Sequence, residues 1–104
     1  MNLSDVVVDY GSVVRAYSRA YRELDDRFGG YDVEKFNEEV GLLKSSCATL
    51  MTSCQGDEVE GVEVVPHTYD GADALIVVTL GHKFVLLAED ASSPVYSVVN
   101  IFAR

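Results

Sequence analysis

Apolar residues recur every three or four positions in the first half of the chain, which is the spacing of one face of an α-helix. The first stripe covers residues 3–28 and ends at Gly29 and Gly30, which favour helix termination. Its members are Leu3, Val7, Tyr10, Val14, Tyr17, Tyr21, Leu24 and Phe28. The second stripe covers residues 33–54 after Asp32, a good N-cap. Because the loop is short, we expect an antiparallel helical hairpin.

The start of the first stripe is less typical of a helix. The β-branched run from Val6 to Val8 and the nearby Gly11 all lower helix propensity. A helix that begins here would be capped by Asn2 or Ser4. A short strand in this stretch is the alternative.

The second half of the chain has the pattern of β-strands separated by turn residues. The predicted strands cover about residues 59–69, 72–80, 83–89 and 95–103. Gly81 and His82 form a two-residue hairpin loop in this prediction, with Val78 paired to Val85 and the imidazole exposed. We therefore expect a single α+β domain over residues 1–104, in which the N-terminal helical hairpin packs on one face of a four-stranded antiparallel β-meander.

Both faces of the predicted sheet are apolar, whereas a strand with one solvated face should alternate apolar and polar residues. One helical hairpin covers one face, so the other would expose more than the roughly 300–600 Å² patch of a typical monomer. We expect a homodimer or a partner protein to bury it; the alternative is that the helices divide between the faces. The side chains assigned to this dimer or partner face are Leu75, Val77, Thr79, Phe84, Leu86, Tyr96, Val98 and Phe102.

The chain is strongly acidic, with 17 Asp and Glu, 8 Lys and Arg, and a formal net charge of −9. This balance argues against direct binding to nucleic acid or to an anionic membrane and favours a basic protein partner. The alternative is a charge that serves solubility only. The candidate partner-binding carboxylates form two groups, Asp57, Glu58, Glu60 and Glu63 in the linker and the start of the first predicted strand, and Glu34, Glu38 and Glu39 on the second helix.

Residues capable of catalysis or metal binding are few. Cys47 and Cys54 are two helical turns apart, about 10 Å, which is too far for a disulfide. No zinc or calcium ligand spacing occurs, and we predict no metal, no cofactor and no enzymatic activity. A small enzyme that uses His67 and Asp70, with Asp73 nearby, is the alternative, because this is the one group that joins an imidazole to carboxylates.

The N-terminal residues 1–9 lack the basic start and apolar run of a signal peptide. No segment approaches the roughly 18 consecutive apolar residues of a membrane span. We therefore expect a soluble cytoplasmic protein, located in the host cytoplasm if a phage encodes it.

Small size, acidic charge, an α+β pattern and the lack of catalytic motifs together resemble phage-encoded inhibitors such as anti-CRISPR proteins, and bacterial immunity proteins. The resemblance concerns bulk properties and includes no matched motif. It implies a non-enzymatic, nucleic-acid-mimicking inhibitor whose carboxylates mask the basic surface of a nucleic-acid-binding protein or complex. The alternative is a dimeric chaperone-like or assembly protein, similar in character to small acidic secretion chaperones, that holds a polypeptide on an apolar sheet face.

Overall fold

A computed structural model describes residues 3–56 and 59–104, which form two α-helices and five β-strands. The helices are α1 (Tyr10–Leu24) and α2 (Val33–Cys54), and the strands are β1 (Val7–Val8), β2 (Glu63–Tyr69), β3 (Ala72–Val78), β4 (His82–Ala88) and β5 (Val95–Ala103). A 3-10 turn, Leu3–Asp5, precedes β1, and a π-helical turn, Asp25–Gly29, follows α1. The fold class is α+β, as predicted.

The sheet is five-stranded and mixed, with the order β1-β5-β4-β3-β2. Strands β2 to β5 form the predicted antiparallel meander, but β1 adds a parallel strand at the edge of β5. The prediction of four antiparallel strands is therefore wrong. The β-branched Val7 and Val8 pair with Val95 and Tyr96, which gives hydrogen-bond partners to backbone groups at an otherwise free strand edge.

Helix α1 begins at Tyr10, seven residues later than predicted, because β1 occupies the preceding stretch. Its N-cap is Asp9, whose carboxylate accepts a hydrogen bond from the backbone N–H of Ser12 at 3.1 Å. Of the two predicted caps, Ser4 lies in the 3-10 turn, and Asn2 is outside the described residues. Helix α2 has the bounds that its apolar spacing predicts.

The buried side of α1 differs from the predicted stripe. Ser12, Val13 and Ala16 are buried, whereas Tyr10 is 69% exposed and Val14 is 44% exposed. The small side chains of Ser12 and Ala16 allow α1 to lie close to β5, so they face the sheet in place of larger residues. Part of the predicted stripe therefore remains on the surface.

The hairpin between β3 and β4 turns one residue earlier than predicted, with Leu80 and Gly81 as its loop. The backbone N–H of Thr79 donates to the carbonyl of His82 at 2.9 Å, and the N–H of His82 donates to Oγ1 of Thr79 at 3.2 Å. These bonds close the turn around Thr79. Each residue of β3 therefore pairs with a β4 residue two positions earlier than predicted. Because a shift of two positions preserves the alternation of side chains, each side chain stays on its predicted face.

A β-bulge in β5 changes which side chains share a face. Leu86 of β4 pairs with Val98, and the preceding Val85 pairs with Asn100. Val99 is therefore an extra residue in β5. The bulge places Ile101 on the same face as Val98 and sends Phe102 to the opposite face. The prediction that Phe102 shares a face with Val98 is therefore wrong, because it assumed an uninterrupted alternation.

Both helices pack on a single face of the sheet, where the core lies. The core comprises Leu3, Val6, Val13, Ala16, Leu43, Leu50, Leu75, Val77, Phe84, Leu86, Tyr96, Val98 and Ile101. Seven of the eight side chains assigned to an open dimer or partner face are buried on this helix-covered side, namely Leu75, Val77, Thr79, Phe84, Leu86, Tyr96 and Val98. Their assignment to an open face is wrong, because the helices of the same chain cover them.

Candidate functional site

Helix α2 carries one of the two predicted carboxylate groups. Glu34 and Glu38 are exposed and lie one helical turn apart, about 6 Å along the axis. Glu39 is less exposed, and its Oε1 lies 3.3 Å from Nζ of Lys35 in an i,i+4 ion pair. The first two carboxylates are thus open to a partner, whereas the charge of Glu39 is partly neutralised.

The second predicted group lies near the start of β2. Glu60 is exposed in a turn, and Glu63 is exposed as the first residue of the strand. Asp57 and Glu58, which belong to the same group, are outside the described residues. Glu60 and Glu63 are on a different element from the α2 carboxylates, so the two groups are separate candidates.

Most carboxylates of the described chain are not neutralised by a neighbouring cation. The salt bridges among residues 3–56 and 59–104 are Arg15–Asp9 at 3.4 Å and Lys35–Glu39 at 3.3 Å. Both are solvent-exposed to a substantial degree, where ion pairs add little stability. The excess negative charge is therefore displayed to solvent.

A further acidic cluster lies at the end of the sheet where the β2–β3 turn and the β4–β5 loop meet. Asp70, Asp73, Glu89 and Asp90 line a hollow of about 320 Å³. The strand topology explains why these residues meet, since every second turn of an antiparallel meander lies at the same end of the sheet. The predicted break between the strands at residues 59–69 and 72–80 was a signal for part of the cluster, but the proximity of the β4–β5 loop follows only from strand order. In the described part of the chain, no three side chains of the metal-ligating types form a metal site.

The proposed enzymatic group is not assembled in the structure. His67 pairs with Ala74, and Asp73 pairs with Thr68, so the two side chains occupy adjacent strand positions of opposite orientation. Asp70 lies in the turn beyond them. The sequence proximity of these residues therefore does not produce one catalytic cluster.

His82 is buried, contrary to its predicted exposure. Its Nδ1 lies 3.0 Å from Oγ of Ser46 on α2, and both side chains are almost fully inaccessible to solvent. Burial lowers the pKa of His82, with an opposing effect from Glu39. This contact connects α2 to the β3–β4 hairpin.

The two cysteines are free and partly buried on α2. Burial raises the pKa of Cys47 to about 11 and also raises the pKa of Cys54. Both thiols are therefore protonated at neutral pH, which makes them poor nucleophiles.

The sheet face opposite the helices, hereafter the open face, is a further candidate binding surface. It carries a groove of about 530 Å³ lined by His67, Tyr69, Ile76, Val85, Leu87, Val99, Asn100 and Phe102. Val65 extends the apolar surface at its margin and is 45% exposed, while Phe102 is 51% exposed. No helix in the described part of the chain packs on this face. The sequence predicted that one apolar face of the sheet would be uncovered. The uncovered face is the one that the prediction had placed under the helices.

A smaller apolar hollow of about 240 Å³ lies between the helices, against Tyr10, Val14 and Met51. Beside it, the ring of Tyr21 contacts Phe36 edge-on, with a centroid distance of 5.5 Å. These aromatic contacts join α1 to α2.

Comparisons with protein-family models, curated proteins and solved structures found no match to this chain. Among the described helices, none has both the length and the apolar character required to cross a bilayer. The functional proposal therefore depends on the charge and geometry of the surfaces described above.

Proposed function

We propose that this protein is a non-enzymatic inhibitor that binds a basic, nucleic-acid-binding partner and covers its cationic surface with carboxylates. The observation that supports this proposal is the unneutralised charge: 17 acidic residues give a net charge of −9, and only two ion pairs occur in the described part of the chain. A field of this strength attracts a basic protein from a distance and repels nucleic acid.

Helix α2 is a suitable support for such a surface. Its inner side is fixed by Leu43 and Leu50, which are completely buried. Glu34 and Glu38 project from the exposed side as two negative charges one helical turn apart. A rigid support reduces the ordering cost of binding.

The proposal is tested by displacement of a fluorescent DNA duplex from a panel of purified basic DNA-binding proteins and nucleases. We expect tight, salt-sensitive inhibition of at least one panel member. Absence of displacement throughout the panel, or an affinity that does not change with salt, would contradict charge mimicry.

Matched charge variants locate the contact surface. Glu34→Gln with Glu38→Gln, and Glu60→Gln with Glu63→Gln, each remove two negative charges. We expect the pair at the true contact to weaken inhibition by about tenfold or more. Glu89→Gln with Asp90→Asn is the control, because it changes the net charge equally at the far end of the sheet. Equal losses in all three double variants would indicate a general charge effect without a defined contact.

The second candidate function is the chaperone-like one, in which the open face holds a partner polypeptide. The apolar groove of about 530 Å³ favours it. Apolar capture should persist or strengthen at high salt, whereas inhibition through carboxylates should weaken. The salt series above therefore distinguishes the two functions.

A further inference from the structure

We propose that the open face is the interface of a symmetric homodimer, in which the sheets of two copies pack face to face. This inference goes beyond the proposed function, which uses carboxylates on α2 and near β2. The two can fail independently, because displacement of DNA tests the carboxylates and the oligomeric state tests the open face. Glu63 is the one residue common to both proposals.

The strand register arranges the central part of the open face in three cross-strand rows. From β2 to β5 they are Glu63, Val78, Lys83 and Phe102; then Val65, Ile76, Val85 and Asn100; then His67, Ala74, Leu87 and Ser97. The central strands contribute mainly aliphatic side chains, and most polar groups lie on the outer strands. An apolar centre with a polar margin is the arrangement found in stable protein interfaces.

The open face is electrically balanced, unlike the rest of the molecule. Among the twelve positions of the three rows, Glu63 and Lys83 are the only Asp, Glu, Lys or Arg residues, so their formal charges cancel. Two copies that each carry a net charge of −9 repel one another at most other surfaces. This face is therefore the most favourable place for them to meet.

Glu63 and Lys83 are also arranged for pairing between copies. They lie in the same row but on β2 and β4, with Val78 of β3 between them. Two strand spacings separate their backbones by about 10 Å, and no salt bridge joins them within the chain. A two-fold interface is self-complementary, so Glu63 of each copy can pair with Lys83 of the other.

The solvent-exposed area of the chain is larger than expected for a monomer of its mass. The chain exposes 6418 Å², whereas a monomer of its mass is expected to expose about 5,800 Å². The excess is about 600 Å², compared with the roughly 800 Å² that each partner buries in a standard interface. The smallest extent of the molecule is 20 Å, as expected for one helical layer on one sheet. A second copy would complete a four-layer arrangement with the sheets at its centre.

The test is sedimentation equilibrium of the whole protein from about 1 µM to about 500 µM, at low and high salt. We expect a species of twice the 11.4 kDa chain mass, with a dimer fraction that rises with salt because screening reduces the repulsion between protomers. A monomer at every concentration in both salts would overturn the proposal.

Two valines of nearly equal exposure test which side of the molecule forms the dimer contact. Val65→Glu places a charge on the open face, and Val14→Glu makes the same change on the helical side; the two valines are 45% and 44% exposed. We expect Val65→Glu to raise the dimer dissociation constant by about 30-fold or more and Val14→Glu to leave it nearly unchanged. Circular dichroism verifies that both variants are folded. The reverse result would place any dimer contact on the helices and overturn the proposal.

A charge exchange tests the pairing itself and uses two exposed residues, so it leaves the core intact. Glu63→Lys and Lys83→Glu should each weaken the dimer, because each places like charges opposite one another at both symmetric positions. The double variant should restore association to within a few-fold of the original. If the double variant is as weak as the single ones, the proposed pairing is wrong.

Discussion

The two faces of this sheet are both rich in apolar side chains, yet they have different surroundings. On the helix-covered side, Val77, Phe84 and Leu86 are completely buried. On the open side, Val65 and Phe102 remain about half exposed. The difference shows that apolar content alone does not indicate which face the helices cover. The polar residues of the open face, His67, Lys83, Ser97 and Asn100, lie mostly on β2 and β5, and its central strands are as apolar as those of the covered face.

Truncating one phenylalanine on each face should give the largest difference in the free energy of unfolding. Phe84→Ala should lower the free energy of unfolding by about 3–5 kcal/mol, because it removes a fully buried ring and leaves a cavity. Phe102→Ala should cost about 1 kcal/mol or less in the monomer, since that ring is half exposed. Urea denaturation at low protein concentration measures both. Similar losses would show that the two faces are not energetically different in the monomer.

Replacing one serine on each side of the sheet should give the next largest difference in stability. Oγ of Ser12 accepts a hydrogen bond from the backbone N–H of Val98 at 2.8 Å, and its hydroxyl donates to the carbonyl of Asp9 at 2.6 Å. Ser12→Ala leaves the buried N–H of Val98 without this partner, so we expect a loss of about 1–3 kcal/mol. Ser97→Ala, on the open side, should have a smaller effect. Equal effects in thermal unfolding would mean that the Ser12 bridge does not stabilise the attachment of α1 to β5.

A histidine on each face gives the smallest contrast, in the pH dependence of stability. Burial lowers the pKa of His82 below its ordinary value of 6.5. The unfolded chain therefore binds the proton more readily than the folded chain. The contribution to stability is present above about pH 6.5 and is lost as the pH falls through the folded-state pKa.

Urea titrations of wild type and His82→Gln across this pH range should differ in slope, with the steeper acid loss in wild type. The control is His67→Gln, which removes the exposed imidazole of the open face. A wild-type slope equal to that of His82→Gln would show that the buried histidine does not carry this dependence.

The candidate surfaces were predictable to different degrees. The carboxylates are visible in the sequence, and exposure of Glu34, Glu38 and Glu60 follows from their polarity. The alternation of Glu63 and Lys83 with apolar neighbours was also visible, but their placement in one row depends on the hairpin register. Phe102 was assigned to the wrong face, because a single extra residue in β5 reverses the alternation.

The amino-acid sequence by itself determined the α+β class, the bounds of α2 and β5, and the acidic surface, because these depend on local propensity, spacing and charge. Only the tertiary structure decided that Val7 and Val8 form a strand, that β5 contains a bulge, and which sheet face the helices cover. These features depend on contacts between residues far apart in the chain. The hydrogen bond from Val98 to Ser12 joins residues 86 positions apart, and no local pattern at either residue indicates the other.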